Sequence, residues 1–179
     1  MTDLAREYGT ALFELAAEEQ KDQELLQELQ LLCQQFQENP KYLELLGTPT
    51  LSKPERLHIV DEALKGKVDG YLISFLKILI ERGAVQEFSQ CAQQYEKQYH
   101  KVHHIARATA VTAVPLTEEL SNRLRDKLQQ VTGKTILLSN RVDPAVLGGV
   151  SIEMDGKLMD DSLRTRLAVL RENLLQTIV

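Results

Sequence analysis

The chain has 179 residues, 43% of them hydrophobic and 26% charged, with a formal net charge of −5. That length suits one or two compact domains able to bury a real core. The acidic balance gives nucleic acid no electrostatic footprint, and no apolar run is long enough to predict a bilayer span or direct membrane insertion.

The N-terminus starts at once with the mixed-charge helical pattern Leu4-Ala5-Arg6-Glu7-Tyr8, which reads as neither a signal peptide nor an Arg-rich transit peptide. The first helix is expected over residues 3–20, capped by Thr2 or Asp3. A second covers 22–38, with Leu25, Leu26, Leu29, Leu32, Cys33 and Phe36 at three-and-four spacing, and Asn39-Pro40 ends it. A short third piece runs from Lys41 to Leu46 and stops at Gly47. Ser52-Lys53-Pro54-Glu55 is a capping box with proline in the first turn and opens a fourth helix that ends near Gly66. The fifth spans about 69–82, stopping at Gly83, and the sixth about 84–102. Cys33 and Cys91 are far apart among apolar helical positions, so they read as buried free thiols, which fits a reducing cytosol.

After His104 the texture changes. Ile105 to Val114 alternates with β-branched residues and reads as a strand, stopped by Pro115. Thr117 caps a helix over 118–132 that ends at Gly133. Thr135–Leu138 is a second strand. Asp143-Pro144 marks a turn, Gly148-Gly149 a bend, Val150, Ile152 and Met154 one strand face, and Asp155-Gly156 a hairpin turn. Ser162 opens a last helix to about Gln176. The expected fold class is mainly α, an N-terminal six-helix bundle over residues 1–104 followed by a small α+β C-terminal domain over 105–179.

Candidate chemistry is sparse. Glu96, His100 and His104 share a helix face at four-residue spacing, with His103 beside them, a pattern used by zinc sites. The polar run around them reads better as an exposed helix end, where the dipole favours histidine. Gly148-Gly149 lacks the lysine and following helix of a phosphate loop. Ser162 has no histidine near it in sequence, and a capping role explains it with Asp160 and Asp161. Arg164 and Arg166 suit either a partner carboxylate or surface salt bridges. No catalytic, cofactor-binding or metal-binding residue is assigned.

The stronger hint is excess apolar surface. On the fifth helix Tyr71, Leu72, Ile73, Phe75, Leu76, Ile78, Leu79 and Ile80 cover an arc of roughly 220°, leaving Ser74, Lys77 and Glu81 as the polar side. On the first, Leu4, Tyr8, Ala11 and Leu15 form a stripe with Ala5, Leu12 and Ala16 beside it and Phe13 further round, an arc of roughly 200°. Either both helices are central, or each offers a second apolar face, for which an amphipathic helix is the natural ligand. Residues 1–40 hold nine acids against two bases, a net of −7; these acids are either a solvated helix face or a rim for a basic partner.

Several motifs carry a family resemblance. The stretch VDPAVLGGVSIEMDGKLMDDSLRTRL over residues 142–167 follows the pattern V-D-x-x-hydrophobic-[GI]-G-G, an apolar strand, then D-G-S-hydrophobic-R-x-R-L. Val142, Asp143, Gly148, Gly149, Asp160, Ser162, Arg164, Arg166 and Leu167 fall in step, and Asp161 stands where glycine is usual. Tyr8–Ala16 is similar to Y-A-x-A-L-F-x-L-A, with Gly9 replacing alanine. Phe75–Gly83 is similar to F-L-x-L-L-x-x-[NG]-[GR], and Thr112–Thr117 to S-A-x-P-L-[ST]. Together these resemble the δ subunit of F-type ATP synthases, the bacterial and chloroplast counterpart of the mitochondrial oligomycin-sensitivity-conferring protein.

The resemblance implies a non-catalytic stator subunit without cofactors, monomeric within a proton- or sodium-translocating complex. It would sit at the cytoplasmic face of the bacterial cell membrane as a peripheral protein. It would link the N-terminal helices of α subunits on the catalytic head to the b subunits of the peripheral stalk. Carried onto this chain, the α-subunit contact is Tyr8, Ala11, Leu12 and Leu15 with Phe75, Ile78 and Leu79. The b-subunit contact includes Arg164, Arg166 and Leu167. Without the resemblance, the residues describe a helical adaptor or regulatory protein that binds an amphipathic helix.

Overall fold

Local chemistry explains where several helices of the N-terminal part begin. A computed structural model describes residues 2–48, 50–146, 149–154 and 157–160. Thr2 caps α1 (Asp3–Glu18), its hydroxyl accepting from the Ala5 amide at 3.2 Å, which satisfies one orphan donor of the first turn. Asn39 closes α2 (Asp22–Glu38), and Pro40 begins α3 (Pro40–Gly47); a proline there loses no hydrogen bond because the first-turn amides have no helical partner. At the start of α4 (Lys53–Leu64) the Ser52 amide and hydroxyl both donate to Glu55, at 2.8 and 2.7 Å. Those two bonds hold the Glu55 carboxyl below its ordinary value.

The expected sixth helix is divided. α5 (Gly70–Glu81) is followed by Gly83 at φ +68°, and the Ala84 amide bonds the Leu79 carbonyl at 2.8 Å. The chain then makes a short 3-10 turn, Val85–Glu87, before α6 (Phe88–Val102). The tight turn puts Val85, 1% exposed, into the core.

Contact divides the chain into two units, Met1–Tyr99 and His100–Val179. In the first, every helix contributes to one apolar cluster, from Ala5 and Leu12 of α1 through Leu25, Leu46, Val60 and Leu76 to Phe88 and Tyr95 of α6. Phe13 meets Tyr95 edge-on at 5.5 Å, and Phe36 meets Phe88 at 5.1 Å, geometries that aromatic quadrupoles favour. The Tyr95 hydroxyl donates to the Asp22 carbonyl at 2.9 Å, so its burial leaves no polar group unpaired.

Among the described residues, the second unit is a sheet with one helix packed on it. Strands β1 (Ile105–Thr112), β2 (Thr135–Val142), β3 (Val150–Met154) and β4 (Lys157–Asp160) lie in the order β2-β1-β3-β4. β1 runs parallel to β2, pairing Ile105 with Thr135 and Thr112 with Val142. β1 and β3 are antiparallel with Ala108 opposite Met154, and β3 and β4 are antiparallel with Met154 opposite Lys157. The crossover between β1 and β2 is α7 (Glu118–Thr132), capped by the Thr117 hydroxyl and closed by Gly133 at φ +68°. Leu128 of α7 packs with Ala106, Ala108, Ile136 and Ile152; the small β1 side chains leave room for the helix.

Two strand boundaries differ from expectation. β1 stops at Thr112, two residues early, where the Thr112 hydroxyl donates to the Val114 carbonyl at 2.7 Å and turns the chain. β2 continues four residues past Leu138 to Val142. Its extension is polar and mostly exposed, so hydrophobic alternation carries no sign of it; pairing with β1 and the Asn140 side chain, which donates to Ala110 O at 2.8 Å and Thr112 Oγ1 at 2.9 Å, hold it instead. Gly149, at φ +83°, adopts a conformation that favours glycine. Gly148, Asp155-Gly156 and the last helix expected from Ser162 lie outside the described residues.

Candidate functional site

The inner side of α1 is set by an unusually close approach to α6. A Cβ at Gly9 would stand 2.5 Å from the Cys91 carbonyl oxygen and 2.8 Å from the Gln94 Cβ. Next to it, Thr10 Oγ1 accepts from Gln94 Nε2 at 3.1 Å and from Gln98 Nε2 at 3.3 Å. With Gly9 against α6, the buried face of α1 is Ala5, Gly9, Leu12, Phe13 and Ala16. Helical spacing then turns Ala11 and Leu15 away from the core and leaves Tyr8 at its margin, packed against it. Tyr8 is half-buried, Ala11 exposed and Leu15 38% exposed. Glu7, Glu14 and Glu18, all exposed, run beside this stripe at a seven-and-four spacing, so one edge of it is acidic.

The wide apolar arc of α5 has a different fate. Leu72, Phe75, Leu76, Leu79 and Ile80 are in the core, and Tyr71 and Ile73 are half-buried against it. Ile78 alone among the apolar α5 residues is exposed, at 44%. Of the seven residues expected at the α-subunit contact, Leu12, Phe75 and Leu79 are therefore core residues, 5%, 5% and 0% exposed. Tyr8, Ala11, Leu15 and Ile78 are the ones that offer side-chain surface.

Electrostatics fix how α5 starts. The Asp69 carboxylate accepts from the Tyr71 amide at 2.9 Å and from Lys21 Nζ at 2.8 Å, while the Asp69 amide donates to Glu28 at 2.7 Å. The Lys21 hydrogen bond, then that of the Tyr71 amide, lowers the Asp69 pKa, and the same bond raises that of Lys21. Further along, Lys77 pairs with Asp61 of α4 at 2.7 Å, which occupies a cation on the polar side of α5.

Burial pushes the Cys91 thiol up to about 11 and raises Cys33 as well, the direction of an inert thiol. Among the described residues no cluster of three or more His, Cys, Asp or Glu side chains could hold a metal ion. Glu96 instead accepts from Gln30 Nε2 at 3.0 Å. Among the same residues no helix is long and apolar enough to cross a membrane. Arg164, Arg166 and Leu167, the expected b-subunit contact, and Ser162 lie outside the described residues.

Sequence periodicity missed Gly9 as a packing residue, because a glycine inside a helix reads first as a loss of propensity. The signal was available: a glycine on the face opposite an apolar stripe suits close backbone approach.

Comparison with known proteins agrees in one direction. Residues 4–174 match the family described as "ATP synthase delta (OSCP) subunit". A protein of Alkaliphilus oremlandii named "ATP synthase subunit delta" is 31% identical over 176 residues, covering 98% of each chain. One of the same name from Geobacillus sp. is 34% identical over 173 residues, covering 96% of this chain and 97% of the relative. In fold, the chain resembles a subunit in the Toxoplasma gondii mitochondrial ATP synthase hexamer, with a TM-score of 0.71 at 17% identity and coverage of 97% and 98%.

Proposed function

The chain belongs to the ATP synthase delta (OSCP) subunit family, whose members are structural rather than catalytic, and from that premise we propose that it ties the catalytic head of the complex to its peripheral stalk. On this reading the N-terminal six-helix bundle holds an N-terminal helix of an α subunit. The C-terminal unit holds the b subunits, through a contact that includes Arg164, Arg166 and Leu167. The protein then works mechanically. By joining stalk to head it resists the torque of the rotor, so that the head does not turn with it. It acts as a monomer within a proton- or sodium-translocating complex, as a peripheral protein at the cytoplasmic face of a bacterial cell membrane.

The observation that supports the α-subunit contact is the apolar stripe of α1, with Ala11 and Leu15 outward and Tyr8 at the margin of the core, edged by Glu7, Glu14 and Glu18. Ile78 adds an exposed apolar side chain on α5. A basic amphipathic helix matches such a surface twice, with apolar anchors for the stripe and cations for the acidic edge. Leu12, Phe75 and Leu79 serve this contact from beneath, by holding the two helices in place. Calorimetric titration of the full chain with an α-subunit N-terminal peptide tests the reading. Saturable binding that weakens with salt is expected, and no heat of binding at millimolar peptide overturns it.

A further inference from the structure

The apolar arc of α1 contains two stripes one residue out of step. Leu4, Tyr8, Ala11 and Leu15 form one, and Ala5, Gly9, Leu12 and Ala16 form the other. A turn of the helix by about 100°, the angle of one residue, would exchange them. Hydrophobic contact is non-directional, so it chooses weakly between two such stripes. In the bundle the second stripe is buried, and Ala11 and Leu15 are left outside.

Directional bonds make the choice. Thr10 Oγ1 is the acceptor for two side-chain amides of α6, Gln94 Nε2 at 3.1 Å and Gln98 Nε2 at 3.3 Å. These donors lie one turn apart and meet on one oxygen, and hydrogen bonds weaken steeply when misaligned. Gly9 makes room for the approach of the two helices, but room does not hold a helix in place. The other bonds from the start of α1, from the Thr2 amide to Gln90 and from its hydroxyl to Glu87, are exposed, where water competes for them.

Gln94 carries a cost that packing alone does not explain. It is 5% exposed, and its Oε1 is buried without a partner. A leucine at that position would leave no orphaned acceptor. A buried amide of this kind has a reason if it specifies one packing arrangement, as single buried polar residues do in other helical assemblies.

We propose that Thr10, gripped by Gln94 and Gln98, is a positioning residue that fixes the rotation of α1 and so keeps Ala11 and Leu15 outward for a partner helix. This rests on the reading of that stripe as the α-subunit contact. Thr10 bonds to α6, so it acts on the partner through α1.

The test compares the full chain with Thr10→Val, which keeps the branched shape and removes the acceptor, with Thr10→Ser, which restores an acceptor, and with Gln94→Leu. Methyl NMR reads the rotation without any partner. Leu12 and Leu15 should each give one sharp set of signals in the parent, should broaden or double in Thr10→Val, and should return to the parent pattern in Thr10→Ser. In calorimetric titration with an α-subunit N-terminal peptide, Thr10→Val should bind about fivefold more weakly, as for an outward rotation populated about one-fifth of the time. Gln94→Leu should bind about threefold more weakly at a melting temperature no lower than that of the parent. Parent-like signals for Leu12 and Leu15 in Thr10→Val overturn the proposal, as does an affinity that falls only in step with melting temperature. A parent that takes up no peptide refutes the α-subunit contact instead, and the methyl signals still decide the role of Thr10.

Discussion

Helices α1 and α5 look alike in sequence and end differently. Both have apolar arcs about twice as wide as a peripheral helix needs. α5 uses nearly all of its arc inside the bundle and leaves Ile78 outside. α1 is pinned on its far side by Gly9 against Cys91 and Gln94, and Ala11 and Leu15 face outward, with Tyr8 at the margin of the core and acids along the edge. Arc width measures how much of a helix avoids water. Only the packing partner decides whether that partner belongs to the same chain.

The contrast can be broken most forcefully from the core of α5. Phe75→Ala should cost about 3–5 kcal/mol, the range for emptying a buried aromatic site, read as a lower denaturation midpoint at unchanged m-value. A cost below about 1 kcal/mol would mean that Phe75 is not the core residue described. Gly9→Ala sharpens the α1 side. Helix propensity alone would add about 1 kcal/mol of stability. The close Cys91 carbonyl predicts the opposite sign, a loss of about 1–3 kcal/mol typical of overpacking. A stabilised Gly9→Ala protein would remove the explanation for the outward stripe.

The smallest expected effect concerns how α5 begins. The Lys21 and Tyr71 hydrogen bonds lower the Asp69 pKa, so the folded state favours the carboxylate. That contribution is complete above the unfolded carboxylate value of about 3.9 and disappears as pH falls through the lower folded value. Asn is as good a cap as Asp. Asp69→Asn should therefore be slightly less stable than the parent at neutral pH and match it once the pH has fallen below the lowered Asp69 value of the folded state. A gap that stays constant with pH in urea melts would point to geometry rather than charge.

These same residues show what was legible in the chain. Ser52-Glu55, Thr117 and Gly133 act within one turn of themselves, and their helices begin or end where local chemistry says. The polar half of β2 is held by β1 and by Asn140, across thirty residues of sequence, and no local pattern encodes such a partner. The candidate surface was half legible. Periodicity marked both helices and even the stripe, but it grouped Leu12, Phe75 and Leu79 with Ala11 and Ile78, because an arc read from sequence has no inside or outside.

The most direct measurement compares binding with stability at the outward positions. Ile78→Asp and Ala11→Trp, in the full chain, are expected to shift folding stability by no more than about 1 kcal/mol, since both sites are exposed. In calorimetric titration with an α-subunit N-terminal peptide, each should weaken binding about tenfold or more, roughly 1.4 kcal/mol. Unchanged affinity in both variants, with the fold intact, would contradict the account.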